Sequence, residues 1–246
     1  MTALCAQPVV TLYEQEALLT VTGGCLRPGG LTLTAELLGL AGLAPGAQVL
    51  DIGCGPGHSL ALMSDCFALV PTGLDPSPVM CAQARKHAPG VAILEAEAVD
   101  IPCPAQSFDG VLCECVLSLT GDINKSLKEM HRVLRPGGVL ILTDIYGQHP
   151  QWQPDLPRLK SCINQAMPLP QILDGLHQAG FTLDFVQDRS HLLKQLAGQI
   201  IFSHGSLTQF WQLFMPAEAA ERTSCALAAA PLGYYALIAR TGEHHG

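Results

Sequence analysis

Basic residues are scarce in this sequence of 246 residues, where lysine and arginine total 13 against 21 aspartates and glutamates. The formal net charge is -8, and no run of basic residues is longer than two. A surface of that sign repels phosphate backbones and anionic lipid. We therefore expect neither nucleic acid nor a membrane as partner, and look instead for a small molecule or another protein.

Targeting segments, long apolar runs and paired cysteines are also missing. The first residues lack the positive and apolar stretches of a secretory signal. The apolar segment from Cys225 to Ala239 is interrupted by Pro231 and Gly233, and it is shorter than the roughly 20 residues of a spanning helix. The ten cysteines include no CxxC pair, which argues against zinc ribbons and disulfide frameworks. We expect a cytoplasmic protein without a metal site, in which most cysteines are small buried residues.

What the sequence does contain is an alternation of short apolar runs with amphipathic segments. Such alternation is typical of βαβ units and of a parallel sheet covered on both faces. The pattern predicts a doubly wound, Rossmann-like, mostly parallel seven-stranded sheet with helical cap segments. The predicted strands are 47–53, 68–75, 91–97, 108–115, 137–146, 181–188 and 234–240, and the predicted helices are 32–42, one starting near 57, 78–87, 122–134, 170–180 and most of 190–228.

The same pattern predicts a single domain over residues 1–246. Residues 1–45 form an expected helical cap at the amino end, with a helix around Leu12 to Thr20. Residues 47–146 form the core that binds a ligand. Residues 147–246 complete the sheet, and their part near 190–230 is expected to cover its edge as a helical lid.

The most informative segment is Asp51-Ile-Gly-Cys-Gly-Pro-Gly57, which lies between a predicted strand and a predicted helix. Glycines at 53, 55 and 57 let the backbone turn sharply and approach a ligand without a Cβ in the way. The helix that follows points free N–H groups towards that ligand. Asp75 comes 24 residues after Asp51, at the end of the second strand, where a doubly wound sheet presents a carboxylate to ribose hydroxyls.

The glycine-rich turn is compatible with two kinds of ligand, a nicotinamide dinucleotide or a nucleoside that carries an amino acid. A nicotinamide dinucleotide fingerprint, G-x-G-x-x-G/A, needs a small residue at position 58, and His58 stands there. The acid at Asp51 repels phosphates but suits an ammonium group, so we expect a nucleoside that carries an amino acid. An NAD-dependent oxidoreductase remains the alternative.

Four segments in order, VLDIGCGPG, GLDPS, FDGVL and LRPGG, resemble those of the class I S-adenosylmethionine-dependent methyltransferases. The sequence is similar to the ubiquinone/menaquinone-biosynthesis type and its small-molecule relatives over 47–146. The resemblance implies S-adenosylmethionine as cofactor and transfer of its methyl group to a small-molecule acceptor. A protein that binds S-adenosylmethionine without catalysis is a further alternative.

The resemblance also implies a set of cofactor-binding residues. Asp51, Gly53 and Gly55 would surround the methionine moiety, and Asp75 would hold the ribose. Glu97 and Ala98 would line the adenine, with Met80 under the ring, and Glu114 and Cys115 would face the sulfonium. The complete predicted set is Asp51, Gly53, Cys54, Gly55, Gly57, Asp75, Pro76, Met80, Glu97, Ala98, Glu114 and Cys115.

The sequence does not identify a catalytic residue. An oxygen or acidic-carbon acceptor would need a base, and the histidines at 58, 131, 149, 177, 191 and 204 qualify by type only. His204 has the best claim, because it lies in the lid segment with Phe202, Phe210 and Trp211, but a surface or packing role without chemistry is the favoured interpretation for it too.

Two neighbouring cysteines admit two interpretations. Strand alternation places Cys113 and Cys115 on one face of the fourth strand. Packing in a central strand is the favoured role. The alternative is a soft-ligand site, completed by Cys54 or Cys162, for a thiophilic metalloid substrate.

Overall fold

The computed structural model describes residues 27–149 and 161–242. These residues form eight α-helices, two short 3-10 helices at Leu117–Leu119 and Cys162–Gln165, and eight strands. The helices are α1 Gly30–Ala41, α2 His58–Phe67, α3 Pro78–His87, α4 Ile123–Val133, α5 Leu169–Gln178, α6 Ser190–His204, α7 Leu207–Trp211 and α8 Ala217–Ala229. The strands are β1 Gln48–Ile52, β2 Val70–Asp75, β3 Ala92–Glu95, β4 Phe108–Glu114, β5 Leu134–Gly147, β6 Met167–Pro168, β7 Phe181–Asp188 and β8 Leu232–Thr241.

Seven of the described strands form one continuous sheet in the order β3-β2-β1-β4-β5-β8-β7, and the two-residue β6 pairs with β5 beside this path. Pairs among β1 to β5 are parallel, whereas β8 runs antiparallel to both β5 and β7. The chain reverses its order at β1 and β4, which places the ends of these two strands at the crevice where doubly wound sheets bind ligands. The predicted mostly parallel, doubly wound sheet is confirmed.

Local sequence explains where the crossover helices begin. Pro78 occupies the first turn of α3, and the Ser77 hydroxyl accepts a hydrogen bond of 3.2 Å from the amide of Met80. Asp122 caps α4 in the same way, accepting from the amide of Lys125 at 2.9 Å. Both are side-chain caps that satisfy amides left open in the first helical turn. The beginnings of these helices were therefore predictable to within a residue.

The sheet has a core on each of its two faces. Helices α4 and α5 pack on one face through buried residues that include Leu127, Met130 and Leu176. Helices α1, α2 and α3 pack on the other, with Leu37 and Leu60 fully buried. Coverage on both faces is why the central strands read as continuous apolar runs.

The carboxyl-terminal region follows the sequence-based outline in its strands β7 and β8 and in the helices that occupy most of 190–228. The predicted lid consists of α6, α7 and α8, which share a small cluster of buried residues of their own. The predicted helix Leu12 to Thr20, and most of the proline-rich stretch before residue 161, lie outside the described residues. Within 27–149 and 161–242, the structure contains no helix of the length and apolarity that a membrane crossing demands.

Candidate functional site

The glycine-rich turn after β1 adopts backbone conformations that side chains resist. Gly53 and Gly55 have φ angles of 69° and 51°, in the left-handed region that favours glycine. A Cβ on Gly53 would lie 2.2 Å from Cγ2 of Val116, whereas no described atom lies within 4 Å of a Cβ built on Gly55. The first glycine is thus required by packing, and the second leaves open space at the surface of the turn.

Asp75 ties the ends of the first two strands together. Its carboxylate accepts hydrogen bonds of 2.9 Å from the amides of Gly55 and Ser77. Its backbone carbonyl accepts from the amide of Ala96, 3.3 Å away, just after β3. The ends of β1, β2 and β3 therefore meet at the buried residue Asp75, whose role towards a ribose stays a prediction.

Asp51 is the least satisfied polar group of the site. It is 3% exposed, and its Oδ2 atom has no hydrogen-bond partner among the described residues. Burial raises the pKa of its carboxyl well above the usual range; Glu114 raises it further, and Arg27 lowers it. A buried acid oxygen without a partner is costly, and a cationic ligand group supplies the partner it lacks.

Glu114 is held in a buried network at the end of β4. Arg27, just before α1, donates from Nη2 to the Glu114 carboxylate at 2.9 Å, and the Thr34 hydroxyl of α1 lies 3.0 Å from the same carboxylate. The same Arg27 nitrogen donates to the hydroxyls of Thr34 at 2.6 Å and Ser59 at 2.8 Å. Burial raises the pKa of Glu114, while Arg27 and Thr34 lower it.

Cys115 shows a departure from the sequence-based prediction. Cys113 packs into the core under α4 and α5, but Cys115 packs into the opposite core with α1. The reason is the φ angle of 56° at Cys115, which ends the strand and breaks the alternation of side chains. Its thiol donates to the Tyr234 hydroxyl at 3.4 Å. The prediction that both thiols share a face is wrong, and contact of Cys115 with the cofactor stays a prediction.

The proposed metalloid site loses its basis with that correction. Cys113 and Cys115 are both buried but lie on different faces, so they do not form the hypothesised pair. Over 27–149 and 161–242, no group of three or more His, Cys, Asp or Glu side chains could hold a metal ion. None of the eight described cysteines forms a disulfide.

The predicted adenine contacts lie on the β2–β3 side of the site. Met80 and Ala98 are buried, at 4% and 6% exposure, whereas the Glu97 side chain is exposed. Gly57 is the residue before α2, Cys54 is buried in the turn, and Pro76 is exposed after β2. Their roles towards a ligand stay predictions.

A half-open cavity of about 580 Å³ adjoins this site, between the first turn of α1 and helix α6. Arg27 and His191 line it together with Arg189, whose guanidinium is paired with Glu36. His204, the histidine favoured from the sequence, instead packs its ring 5.5 Å from that of Phe210. The structure therefore places His191, rather than His204, at the wall of a cavity.

Two site residues were missed in the sequence. Arg27 lies 87 residues from Glu114, and its only local signal is that it is a basic residue just before the Pro-Gly-Gly turn. Asp144, in β5, is 1% exposed and accepts from the amide and hydroxyl of Ser118 at 2.8 and 3.0 Å. Burial raises the pKa of Asp144 to about 6. A single acid inside the apolar run LILTDIY was the available signal.

Known sequences resemble this chain over the segment that contains the glycine turn and the ends of β1, β2 and β4. Residues 50–142 match a family described as "Methyltransferase domain". The "Uncharacterized methyltransferase YodH" of Bacillus subtilis is 37% identical over 132 residues, which make up 52% of this chain and 55% of that protein. The chain spans about half or less of the curated relatives it matches.

Solved structures show the same fold at low identity. The [4+2]-cyclase SpnF superposes with a TM-score of 0.75 at 23% identity, over 96% of this chain and 98% of that one. A phosphoethanolamine N-methyltransferase 2 of Haemonchus contortus, in complex with S-adenosyl-L-methionine, gives a TM-score of 0.75 at 21% identity over 92% of this chain and 56% of that chain.

Proposed function

Residues 50–142 form a class I S-adenosylmethionine-dependent methyltransferase domain, and from this premise we propose that the chain transfers the methyl group of S-adenosylmethionine to a small-molecule acceptor. Relatives that methylate phosphoethanolamine, trans-aconitate and malonyl-[acyl-carrier protein] support a small or carrier-bound metabolite.

The observation that carries the proposal is the Asp51 oxygen that has no partner among the described residues, next to a glycine turn whose Gly55 no described atom crowds. S-adenosylmethionine carries an ammonium group that can pair with such a carboxylate. No described atom lies within 4 Å of a Cβ built on Gly55, which would let a ligand come close to the backbone, and Asp75 at the end of β2 would hold its ribose. The residues present therefore fit this cofactor, and a pyrophosphate beside Asp51 would be repelled.

The protein's own contribution to the reaction is positioning. The bound cofactor supplies an already activated methyl group, so the residues around it need to align the acceptor and exclude water. Asp51, Gly53 and Gly55 would hold the methionine end, and Glu97 and Ala98 would line the adenine. The cavity beside α1 and α6, of about 580 Å³, has the size of a small-molecule site.

Binding tests the first half of the proposal. In calorimetry, wild type is expected to bind S-adenosylmethionine and its demethylated product. Asp75→Ala is expected to weaken both by about 1–3 kcal/mol, as for lost charge-assisted hydrogen bonds. The matched control is Asp65→Ala, an exposed acid on α2, which should change neither affinity. Binding of NADH in place of both ligands would favour the oxidoreductase alternative.

Turnover separates catalysis from binding alone. A second candidate, a cofactor-binding protein that does not transfer methyl groups, is favoured by the likeness in fold to a cyclase. Incubation with methyl-labelled cofactor and a panel of amine, carboxylate and thiol acceptors distinguishes the two. Labelled product supports methyl transfer. Tight cofactor binding with no labelled product across the panel supports the second candidate.

A further inference from the structure

The Arg27–Glu114 ion pair has no place in the proposed function so far. The Glu114 side chain is buried and that of Arg27 is partly buried, at 4% and 13% exposure, and the ion pair measures 2.9 Å. Removing two charges from water is expensive unless further hydrogen bonds satisfy them. Thr34 and Ser59 provide those bonds to Glu114 and Arg27 respectively. A buried carboxylate with an ion pair and hydrogen bonds, at the crevice where ligands bind, indicates a role towards a ligand in addition to packing.

The topology places Glu114 at the methionine end of the site. In the parallel pair of β1 and β4, Ile52 is opposite Cys113, so the next residues, Gly53 and Glu114, are neighbours at the strand ends. Glu114 and Asp51 also interact electrostatically, because Glu114 raises the pKa of the Asp51 carboxyl. Two buried carboxylates and one guanidinium thus share this end of the site, and one of the carboxylate oxygens, Oδ2 of Asp51, has no partner among the described residues.

The donor and the product of methyl transfer differ in charge at one atom. S-adenosylmethionine has an ammonium, a carboxylate and a sulfonium, and therefore carries a net charge of about +1 near neutral pH. Its product has a neutral thioether in place of the sulfonium. Each carboxyl that is ionised adds a negative charge to this end of the site, and such a charge favours the cationic donor over the product.

We infer that the Glu114 carboxylate, fixed by Arg27 and Thr34, is a specificity-determining group that shifts cofactor binding towards the sulfonium-bearing donor and away from the thioether product. The inference rests on the proposed function. Asp75 is a third carboxylate at the site, but it is bonded to backbone amides and is unchanged in every variant below, so its contribution cancels.

Calorimetric titration of wild type and Glu114→Gln with each ligand tests the inference. Gln keeps the size of the side chain and removes its charge. Donor affinity is expected to fall about tenfold more than product affinity, which corresponds to about 1.4 kcal/mol. Glu114→Asp should recover part of the difference, because it restores the charge. Asp65→Asn is the matched control: it removes the charge of an exposed acid on α2 and should change the affinity for neither ligand.

The outcomes are distinguishable. Equal loss of donor and product affinity in Glu114→Gln assigns Glu114 a structural role and overturns the inference. Failure of wild type to bind either ligand overturns the proposed function instead. Thermal melts establish whether each variant folds. If Glu114→Gln does not fold, wild type is titrated with sinefungin, which carries an amine in place of the sulfonium; binding more than tenfold weaker than that of the product overturns the inference.

Discussion

The amino-terminal part of the sheet and the helices α6 to α8 are built in different ways. Around the ends of β1, β2 and β4, polar atoms are buried and bonded across the chain, as in the pairs of Asp75 with Gly55 and of Glu114 with Arg27. Helix α6 has fifteen residues, of which Ile200 alone is buried, at 9% exposure. The first region is constrained by many specific contacts, and the second by a small apolar cluster.

That difference indicates where change is tolerated. Buried polar networks penalise each lost partner, whereas sparsely packed helices open locally at low cost. The cofactor region should therefore respond steeply to single substitutions, and the cap should respond weakly. In methyl transfer the cofactor stays constant and the acceptor varies, so a tolerant cap adjoining the α1–α6 cavity is where acceptor specificity can change.

The largest effect is expected at Gly53. In Gly53→Ala the Cβ would meet Val116 at 2.2 Å while φ is 69°. Left-handed backbone and overpacking together should lower the free energy of unfolding by about 3 kcal/mol and abolish cofactor binding. Urea unfolding and calorimetry measure the two quantities.

Gly55→Ala is the matched control, with a φ of 51° but no described atom within 4 Å of the new methyl group. It should lose only about 1 kcal/mol of stability, from the backbone term, and still bind cofactor poorly, because the methyl group occupies the ligand's space. Equal destabilisation by the two alanines would contradict the packing argument.

A second substitution probes the buried acid of β5. A pKa raised from 3.8 to about 6 in the folded protein means that the unfolded chain loses its proton first as pH rises. Asp144 therefore contributes fully to the free energy of unfolding at low pH, and this contribution falls by about 3 kcal/mol between about pH 4 and 6. Asp144→Asn lacks this titration. Its unfolding free energy relative to wild type should rise by that amount from pH 4 to 7, and parallel pH profiles would count against the assignment.

Asp51→Asn should separate stability from function. Because burial raises the pKa of Asp51, its ionised form destabilises the ligand-free protein progressively as pH rises through that raised pKa. The neutral amide should stabilise the ligand-free protein by about 1–2 kcal/mol at pH 8, the cost of a poorly satisfied buried group, and weaken cofactor binding. Urea titrations with and without cofactor measure both. If the variant is less stable than wild type at pH 8, ionised Asp51 does not destabilise the ligand-free protein.

The cofactor core was predictable because its chemistry lies in short segments of sequence. The glycine turn, Asp75 and the start of α3 each follow from neighbouring residues. The LRPGG segment at residues 134–138 opens β5, and the pairing with β4 shifts its register there, between Phe108 and Gly110. Local signals of this kind survive folding because they act over a few residues.

The unpredicted features depend on contacts that are remote in sequence or on single backbone angles. Arg27 reaches Glu114 only after α1 has packed on the sheet. The direction of the Cys115 thiol follows from one left-handed residue, which the strand pattern gives no reason to expect for cysteine. Asp144 of β5 accepts hydrogen bonds from Ser118, which follows β4 and is 26 residues away in sequence. Periodicity describes faces of elements, and it contains no information on such pairings.

The smallest effect is expected at the surface of the cap. Phe202, on α6, is 93% exposed, so Phe202→Ser removes almost no buried surface and should change the unfolding free energy by less than about 0.5 kcal/mol. Phe210, in the cap cluster at 2% exposure, provides the contrast, because Phe210→Ser opens a cavity and should destabilise clearly. Cofactor affinity should be unchanged in Phe202→Ser, measured by calorimetry alongside urea unfolding. A marked loss of stability in that variant would mean that α6 is packed more fully than its exposure indicates, and the contrast between the two regions would fail. An unchanged stability with altered turnover of one acceptor would instead sharpen it, because the exposed face of α6 would then act on the acceptor without contributing to the fold.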